Sequence, residues 1–233
     1  MTRYAMILNL HDCVGCGTCD IVCKIENQVP QGVFLSHHVT ETTGEFPKLR
    51  YSYRPIMCNH CEKPACVEVC PSGALHKDEW GLTVVDSDKC VSCGSCAKAC
   101  PYGAITPAPD KTAADNLADV PTLIAECTAN GKEVQEAVES DYPMHDPALD
   151  EVELPLLKKG SALKCQMCKH LVYHGDVPRC VEACPAHARI FGDEEDIYGE
   201  IHQLKEMYDA SVLMPEKGTG PHVYYIREFH KTW

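Results

Sequence analysis

Sixteen of the seventeen cysteines in this 233-residue chain stand in four runs of four. The runs are Cys13, Cys16, Cys19 and Cys23; Cys58, Cys61, Cys66 and Cys70; Cys90, Cys93, Cys96 and Cys100; and Cys165, Cys168, Cys180 and Cys184. Three of them close with proline (Pro71, Pro101, Pro185), and Lys24 takes that place in the first. An iron-sulfur cube needs one thiolate for each of its four irons, and the compact Cys-x2-Cys-x2-Cys-x3-Cys-Pro spacing presents three sulfurs to one cube. The arithmetic predicts four 4Fe-4S clusters and a chain that moves electrons.

The remaining composition leaves little else to hold such a chain together. Hydrophobic residues make up 45%, but only four are Phe and two are Trp, so a conventional core is thin. Ligand sets organised only in the folded state turn metal-binding energy into folding energy, and the metal-free chain is expected to be largely unfolded.

The formal net charge is -13. Sixteen thiolates add about -16 and four 2+ cubane cores return about +8, which leaves roughly eight further negative charges. Nucleic acid is excluded as a partner on this ground, and docking partners are expected to present basic patches. No stretch approaches the roughly 20 apolar residues of a membrane span, and MTRYAMILNLHDC has no signal-peptide core. The expectation is a chain that neither anchors nor exports itself. The dense Cys-x-x-Cys packing and the odd cysteine count argue against a secreted disulfide scaffold.

Along the chain, Tyr4 to Leu10 is an apolar run of strand length, and DIVCKIENQ after Cys19 is read as a short helix carrying the fourth cysteine. GALHKDEWGLTVVDSDKC predicts a hairpin with Ala74 to His76 extended, a turn over Asp78 to Gly81, and Leu82 to Val85 extended. DIYGEIHQLKEMY sets Ile197, Ile201, Leu204 and Tyr208 at helical spacing, and His222 to Ile226 is a strand candidate able to pair with Tyr4 to Leu10. Gly15, Gly17 and Gly94 lie between ligands, where the backbone must come close to a cluster. Proline after the last ligand ends its helix. From Thr106 to Lys164 there is no ligand set, and Cys127 within it is read as a small buried residue.

In two-cluster ferredoxins three cysteines of a run bind one cluster and the fourth crosses to the other. Pairing the adjacent middle runs, and then the outer ones, assigns Cys13, Cys16, Cys19 and Cys184 to cluster 1 and Cys58, Cys61, Cys66 and Cys100 to cluster 2. Cys90, Cys93, Cys96 and Cys70 form cluster 3, and Cys165, Cys168, Cys180 and Cys23 cluster 4. The predicted fold class is α+β: two ferredoxin-like modules, each holding two 4Fe-4S clusters, with an irregular or helical insertion. The outer module comprises residues 1–50 plus 160–233, the inner one 51–110, and the insertion 111–159.

Zinc also takes Cys-x-x-Cys pairs, but in CVGCGTCDIVC and CVSCGSCAKACP a third cysteine follows after only two residues, which suits a cube better; the fourth run, with eleven residues between its second and third ligands, is the least specific. A Rieske centre would need a cysteine replaced, so His60 and His170 are read as hydrogen-bond donors or surface residues. Lys24, Lys89, Lys98, Lys164, Lys169 and Arg179 lie near ligands and either favour the reduced clusters or serve as solvated counter-charges. There is no Gly-x-Ser-x-Gly, phosphate loop or Gly-x-Gly-x-x-Gly, so no catalytic residue is assigned and the chemistry belongs to another chain.

The order of the four groups, the segment CNHCEKPACVEVCPSGALHKDEWGLTVVDSDKCVSCGSCAKACPYGAI and the tail CPAHARIFGD resemble the iron-sulfur subunits of molybdopterin oxidoreductases of the dimethyl sulfoxide reductase type, over residues 1 to about 110 and 160 to 230. Within that family SHHVTETTGEFPKLRYSYRP and GTGPHVYYIREF are similar to the small subunit of respiratory arsenate reductases, and the small subunits of transhydroxylase and catechol dehydroxylase types share the frame. The resemblance implies a large catalytic partner carrying a molybdopterin guanine dinucleotide cofactor with molybdenum or tungsten. It also implies a quinol-linked membrane subunit or a soluble carrier at the other end of the relay, and a role in anaerobic respiration. Co-export with the partner would place the chain outside the cytoplasm, the cytoplasm being the alternative. The competing functions are a free-standing polyferredoxin and a structural zinc protein.

Overall fold

The computed structural model describes residues 2–29, 32–107 and 160–227. The predicted insertion, residues 111–159 with Cys127, lies outside the described residues.

Strand β1 (Tyr4–Asn9) occupies the centre of a three-stranded sheet. It pairs antiparallel with β8 (Arg189–Asp193), Leu8 opposite Arg189, and parallel with β9 (Val223–Ile226), Met6 opposite Val223. Both faces of β1 are covered, which is why its sequence is an unbroken apolar run rather than an alternation. Met6 and Leu8 face a cluster that includes Cys19, Cys23, Cys58, Cys165 and Cys180, while Ala5 and Ile7 pack with Ile201 and Ile226.

Helix α1 (Thr18–Glu26) follows, then a long antiparallel hairpin of β2 (Ser36–Thr43) and β3 (Arg50–Met57). Next come α2 (Ala65–Glu68), the short hairpin β4 (Leu75–Lys77) with β5 (Thr83–Val85), α3 (Ser95–Ala99) and β6 (Ile105–Thr106). Strand β7 (Leu163–Lys164) pairs with β6, so the chain on either side of the undescribed segment is brought together. Two one-turn helices, α4 (Lys169–Val172) and α5 (Arg179–Glu182), precede β8, and α6 (Glu200–Tyr208) precedes β9.

The helices after the third ligand differ in length for a local reason. α2 and α5 stop before Cys70-Pro71 and Cys184-Pro185, and α3 ends at Ala99, ahead of Cys100-Pro101. α1, with Lys24 where the others have proline, runs nine residues and contains both Cys19 and Cys23.

The expected helix over residues 196–208 needs correction. It starts at Glu200; Ile197 precedes it and is 59% exposed, and Tyr208 is also exposed, so Ile201 and Leu204 alone carry the apolar face.

The two proposed modules meet through main-chain hydrogen bonds. Glu62 N–H donates to the Gly220 carbonyl at 2.7 Å, Lys63 N–H to Thr219 at 2.9 Å and His222 N–H to Asn59 at 2.9 Å. One apolar cluster also contains residues of both, including Leu8, Met57, Leu82 and Leu163.

Candidate metal centres

Each run begins with Cys-x-Xaa-Cys, and the residue before its second cysteine adopts a left-handed conformation in every case: Gly15 (φ 66°), His60 (45°), Ser92 (56°) and Met167 (56°). The turn points both sulfurs of the pair toward one side. Only glycine takes such a φ without strain, so the non-glycine members cost about 1–2 kcal/mol each and are held there by their surroundings. At Gly15 the requirement is doubled, because a Cβ would lie 2.2 Å from Tyr53 Cδ1.

Four cavities of similar size, 340 to 400 Å³, collect the cysteines. The first is lined by Cys13, Cys16, Cys19 and Cys184, the second by Cys58, Cys61, Cys66 and Cys100. The third is lined by Cys70, Cys90, Cys93 and Cys96, the fourth by Cys23, Cys165, Cys168 and Cys180. Each thus takes three cysteines from one run and one from another. None of the sixteen described cysteines is in a disulfide.

Backbone and amide donors point at these sulfurs. Leu75 N–H lies 3.5 Å from Cys70 Sγ, Ala162 N–H 3.4 Å from Cys90 Sγ, Met167 N–H 3.4 Å from Cys165 Sγ and Ala188 N–H 3.3 Å from Cys184 Sγ. Asn27 Nδ2 donates to Cys23 Sγ at 3.5 Å. Four soft sulfur donors line each cavity with N–H groups aimed at them, the donor chemistry of a 4Fe-4S cube; at the first, Asp20 and His38 also stand beside Cys19.

The sulfurs differ in environment. Burial pushes the Cys66 and Cys168 thiols up to about 12, and burial together with neighbouring cysteines raises Cys23 and Cys165 further. At the exposed edges the hydroxyls of Thr18 and Ser95 lower Cys16 and Cys93. Iron binding must therefore displace protons chiefly from the buried ligands.

Two histidines next to ligands are structural. His170 Nε2–H donates to Glu26 Oε1 at 2.7 Å. His60 is fully buried, not at the surface, and its Nδ1 accepts from Thr83 N–H at 3.1 Å; burial holds the ring well below its usual titration range, so it is neutral. A histidine without a sequence signal, His38, sits on the first cavity, its Nδ1 2.6 Å from Asp20 Oδ2. Asp20, Cys13 and Cys19 together push it up to about 11.

Of the basic residues near ligands, Lys164 is buried, its Nζ donating to the Thr83 and Cys165 carbonyls. Lys24 bonds the Val33 carbonyl at 2.8 Å, Arg179 pairs with Glu26 and Glu182, and Lys89 pairs with Asp86 at the surface. Arg189, hidden in strand β8, lines both the first and the fourth cavities.

Residues 49–118 and 122–194 match a sequence model described as a 4Fe-4S dicluster domain, and residues 12–74 match a second of the same description. The chain is 38% identical to the arsenate respiratory reductase iron-sulfur subunit ArrB of Shewanella sp. (strain ANA-3), over 97% of both chains. It is 33% identical to a subunit of the selenate reductase of Mesobacillus selenatarsenatis, covering 96% of this chain and 72% of that one. It is 30% identical to a chain of the anaerobic dimethyl sulfoxide reductase of Escherichia coli, covering 92% and 86%. The class is that of 4Fe-4S dicluster proteins, and within it this protein belongs to the iron-sulfur subunits of molybdopterin oxidoreductases. These are electron-transfer and not catalytic subunits of their reductase complexes.

Proposed function

We propose that the four cysteine quartets bind four 4Fe-4S clusters in two ferredoxin-like modules, and that the chain relays single electrons between a molybdopterin catalytic subunit and a quinol-linked or soluble carrier. The observation that carries this reading is the composition of the four cavities, each lined by three cysteines of one run and a fourth from another. Bound there, each cube supplies one-electron storage between its 2+ and 1+ states.

The chain's own residues order the relay. Arg189 borders the first and fourth cavities. Cys58 of the second and Cys165 of the fourth pack in one apolar cluster. Cys66 and Cys96, of the second and third, pack in one apolar cluster. The sequence first, fourth, second, third follows, with Cys16 and Cys93 exposed at its two ends. Buried thiolates and apolar walls exclude water from the middle of the path, and exposed ligands at the ends bring partners within tunnelling range.

Identity over the full length of an arsenate respiratory reductase subunit supports an arsenate reductase-like complex with a large molybdopterin-containing partner. By analogy with the family we place the chain outside the cytoplasm, exported with that partner. Anaerobic co-purification from the native cell, with metal analysis and peptide identification, tests the whole reading. About sixteen irons per chain and a molybdopterin-bearing companion in the extracytoplasmic fraction are expected. A brown monomer with no companion would establish a free-standing polyferredoxin, and colourless, zinc-loaded protein would remove the cluster assignment.

A further inference from the structure

The fourth cavity is the most enclosed of the four. All its cysteines are buried, Cys23 at 7% exposure, Cys165 at 8%, Cys168 at 6% and Cys180 at 7%, whereas each of the others includes half-buried or exposed ligands. A cube with four thiolates passes from a net charge of about -2 to about -3 on reduction. Burial disfavours the more highly charged state, so enclosure alone would make this cluster the hardest to reduce and place a barrier inside the relay.

Two buried cations are associated with that cavity, one lining it and one bonded to a ligand's carbonyl. Arg189, 4% exposed, lines it together with the first cavity. Its guanidinium is anchored by Ser36 Oγ at 3.0 Å and Met57 Sδ at 3.5 Å. Lys164, 1% exposed, donates from Nζ to the carbonyl of Cys165, a ligand of the fourth cavity, at 2.6 Å. It also donates to the carbonyl of Thr83, which lines the second cavity. Arg189 also bonds Cys180, a ligand of the same cavity, whereas the two carbonyls that hold Lys164 are neutral. A buried cation is strongly unfavourable unless opposite charge compensates it; Asp20 contributes at Arg189, and the thiolates and their clusters contribute at both positions.

We propose that Arg189 and Lys164 are positioning charges that raise the reduction potential of the enclosed central cluster, Arg189 acting also on the first cluster and Lys164 on the second. The proposal rests on the reading of the cavities as cubane sites. Its signature is a shared pattern: the central cluster responds to both residues, and each neighbour to one.

The test is a potentiometric titration of the intact complex, followed by electron paramagnetic resonance, with iron counted in each preparation. Arg189→Gln is expected to shift the first and fourth clusters to lower potential, Lys164→Gln the fourth and second, with the third unmoved by either. Arg189→Lys and Lys164→Arg, which keep the charge, should restore most of the shift. If Arg189→Gln does not load, Ser36→Asp places a carboxylate beside the intact guanidinium and should lower the same two potentials. Fully loaded variants with unchanged potentials, or with all four clusters shifted alike, would overturn the proposal. Wild-type protein lacking cubane signals would instead sink the cluster reading beneath it.

Discussion

Glu26, the last residue of α1, accepts a hydrogen bond from His170 of α4 at 2.7 Å, and its other carboxylate oxygen accepts from Arg179 Nε at 3.0 Å. One side chain thus ties three helices around the fourth cavity, whose ligands Cys23, Cys168 and Cys180 sit on or beside them. Removing a partner leaves a buried polar group without its bond. Glu26→Ala is expected to lower stability by about 2 kcal/mol and to release the iron of the fourth site first, read from denaturant titrations followed by visible absorbance and site-resolved resonance signals.

Ligand exchange between runs makes a pairwise prediction. Cys184→Ala should abolish the same resonance signal as Cys16→Ala, and Cys23→Ala the same signal as Cys168→Ala, although each pair draws on opposite ends of the chain. Cys96→Ala should remove the third cluster. Retention of all iron in Cys96→Ala, or matching losses within a run instead of across runs, would refute the quartets.

Gly15 and Gly17 separate two effects of glycine. Both have positive φ, 66° and 73°, but a Cβ at Gly15 would overlap the Tyr53 ring and one at Gly17 meets nothing within 4 Å. Gly17→Ala should therefore cost about 1 kcal/mol from backbone strain alone. Gly15→Ala must also displace Tyr53 and should impair loading of the first site; Tyr53→Ala in the same chain should partly rescue it.

Glu194 supplies a pH dependence. Burial alone pushes its carboxyl up, but His222, Tyr224 and Lys205 hold it down at about 2, against 4.5 for an ordinary glutamate. A carboxylate depressed in the folded state contributes stability that is complete above its unfolded value and is lost as pH falls through the folded one. The stability difference between wild type and Glu194→Gln should be constant down to about pH 4.5 and narrow below it. A difference that widened with acid would contradict the assignment.

Iron removal should do more than bleach the protein. It leaves Cys23, Cys165, Cys168 and Cys180 as buried thiols and takes away the cluster charge that faces Arg189 and Lys164. Chelation under anaerobic conditions is expected to abolish cooperative unfolding, and reconstitution with iron and sulfide to restore it, measured by circular dichroism.

Much of the local architecture is legible in the sequence because its causes are local. β1 follows from an uninterrupted apolar run, and the β4–β5 hairpin from a polar turn between extended segments. The β2–β3 hairpin carries no such mark, since its residues grade from buried at the Ser36–Met57 end toward exposed near the turn and no alternation distinguishes them. Strand β8 is equally silent, because RIFGD becomes a strand only by pairing with β1.

The cysteine spacing by itself determined how many sulfurs are offered and the local geometry of each opening pair, because two ligands three residues apart are governed by the turn that holds them. Charge placement was decided elsewhere. Nothing in HARIFGD distinguishes Arg189 from a surface arginine, and six other basic residues draw more notice in the sequence for lying beside cysteines. Its register opposite Leu8 in the central sheet is what carries it between two cavities, as the folding of β7 onto β6 helps bury Lys164. Burial, and with it the local dielectric and the electrostatic value of a charge, arises from contacts between residues far apart in the chain, so only the tertiary structure could set it.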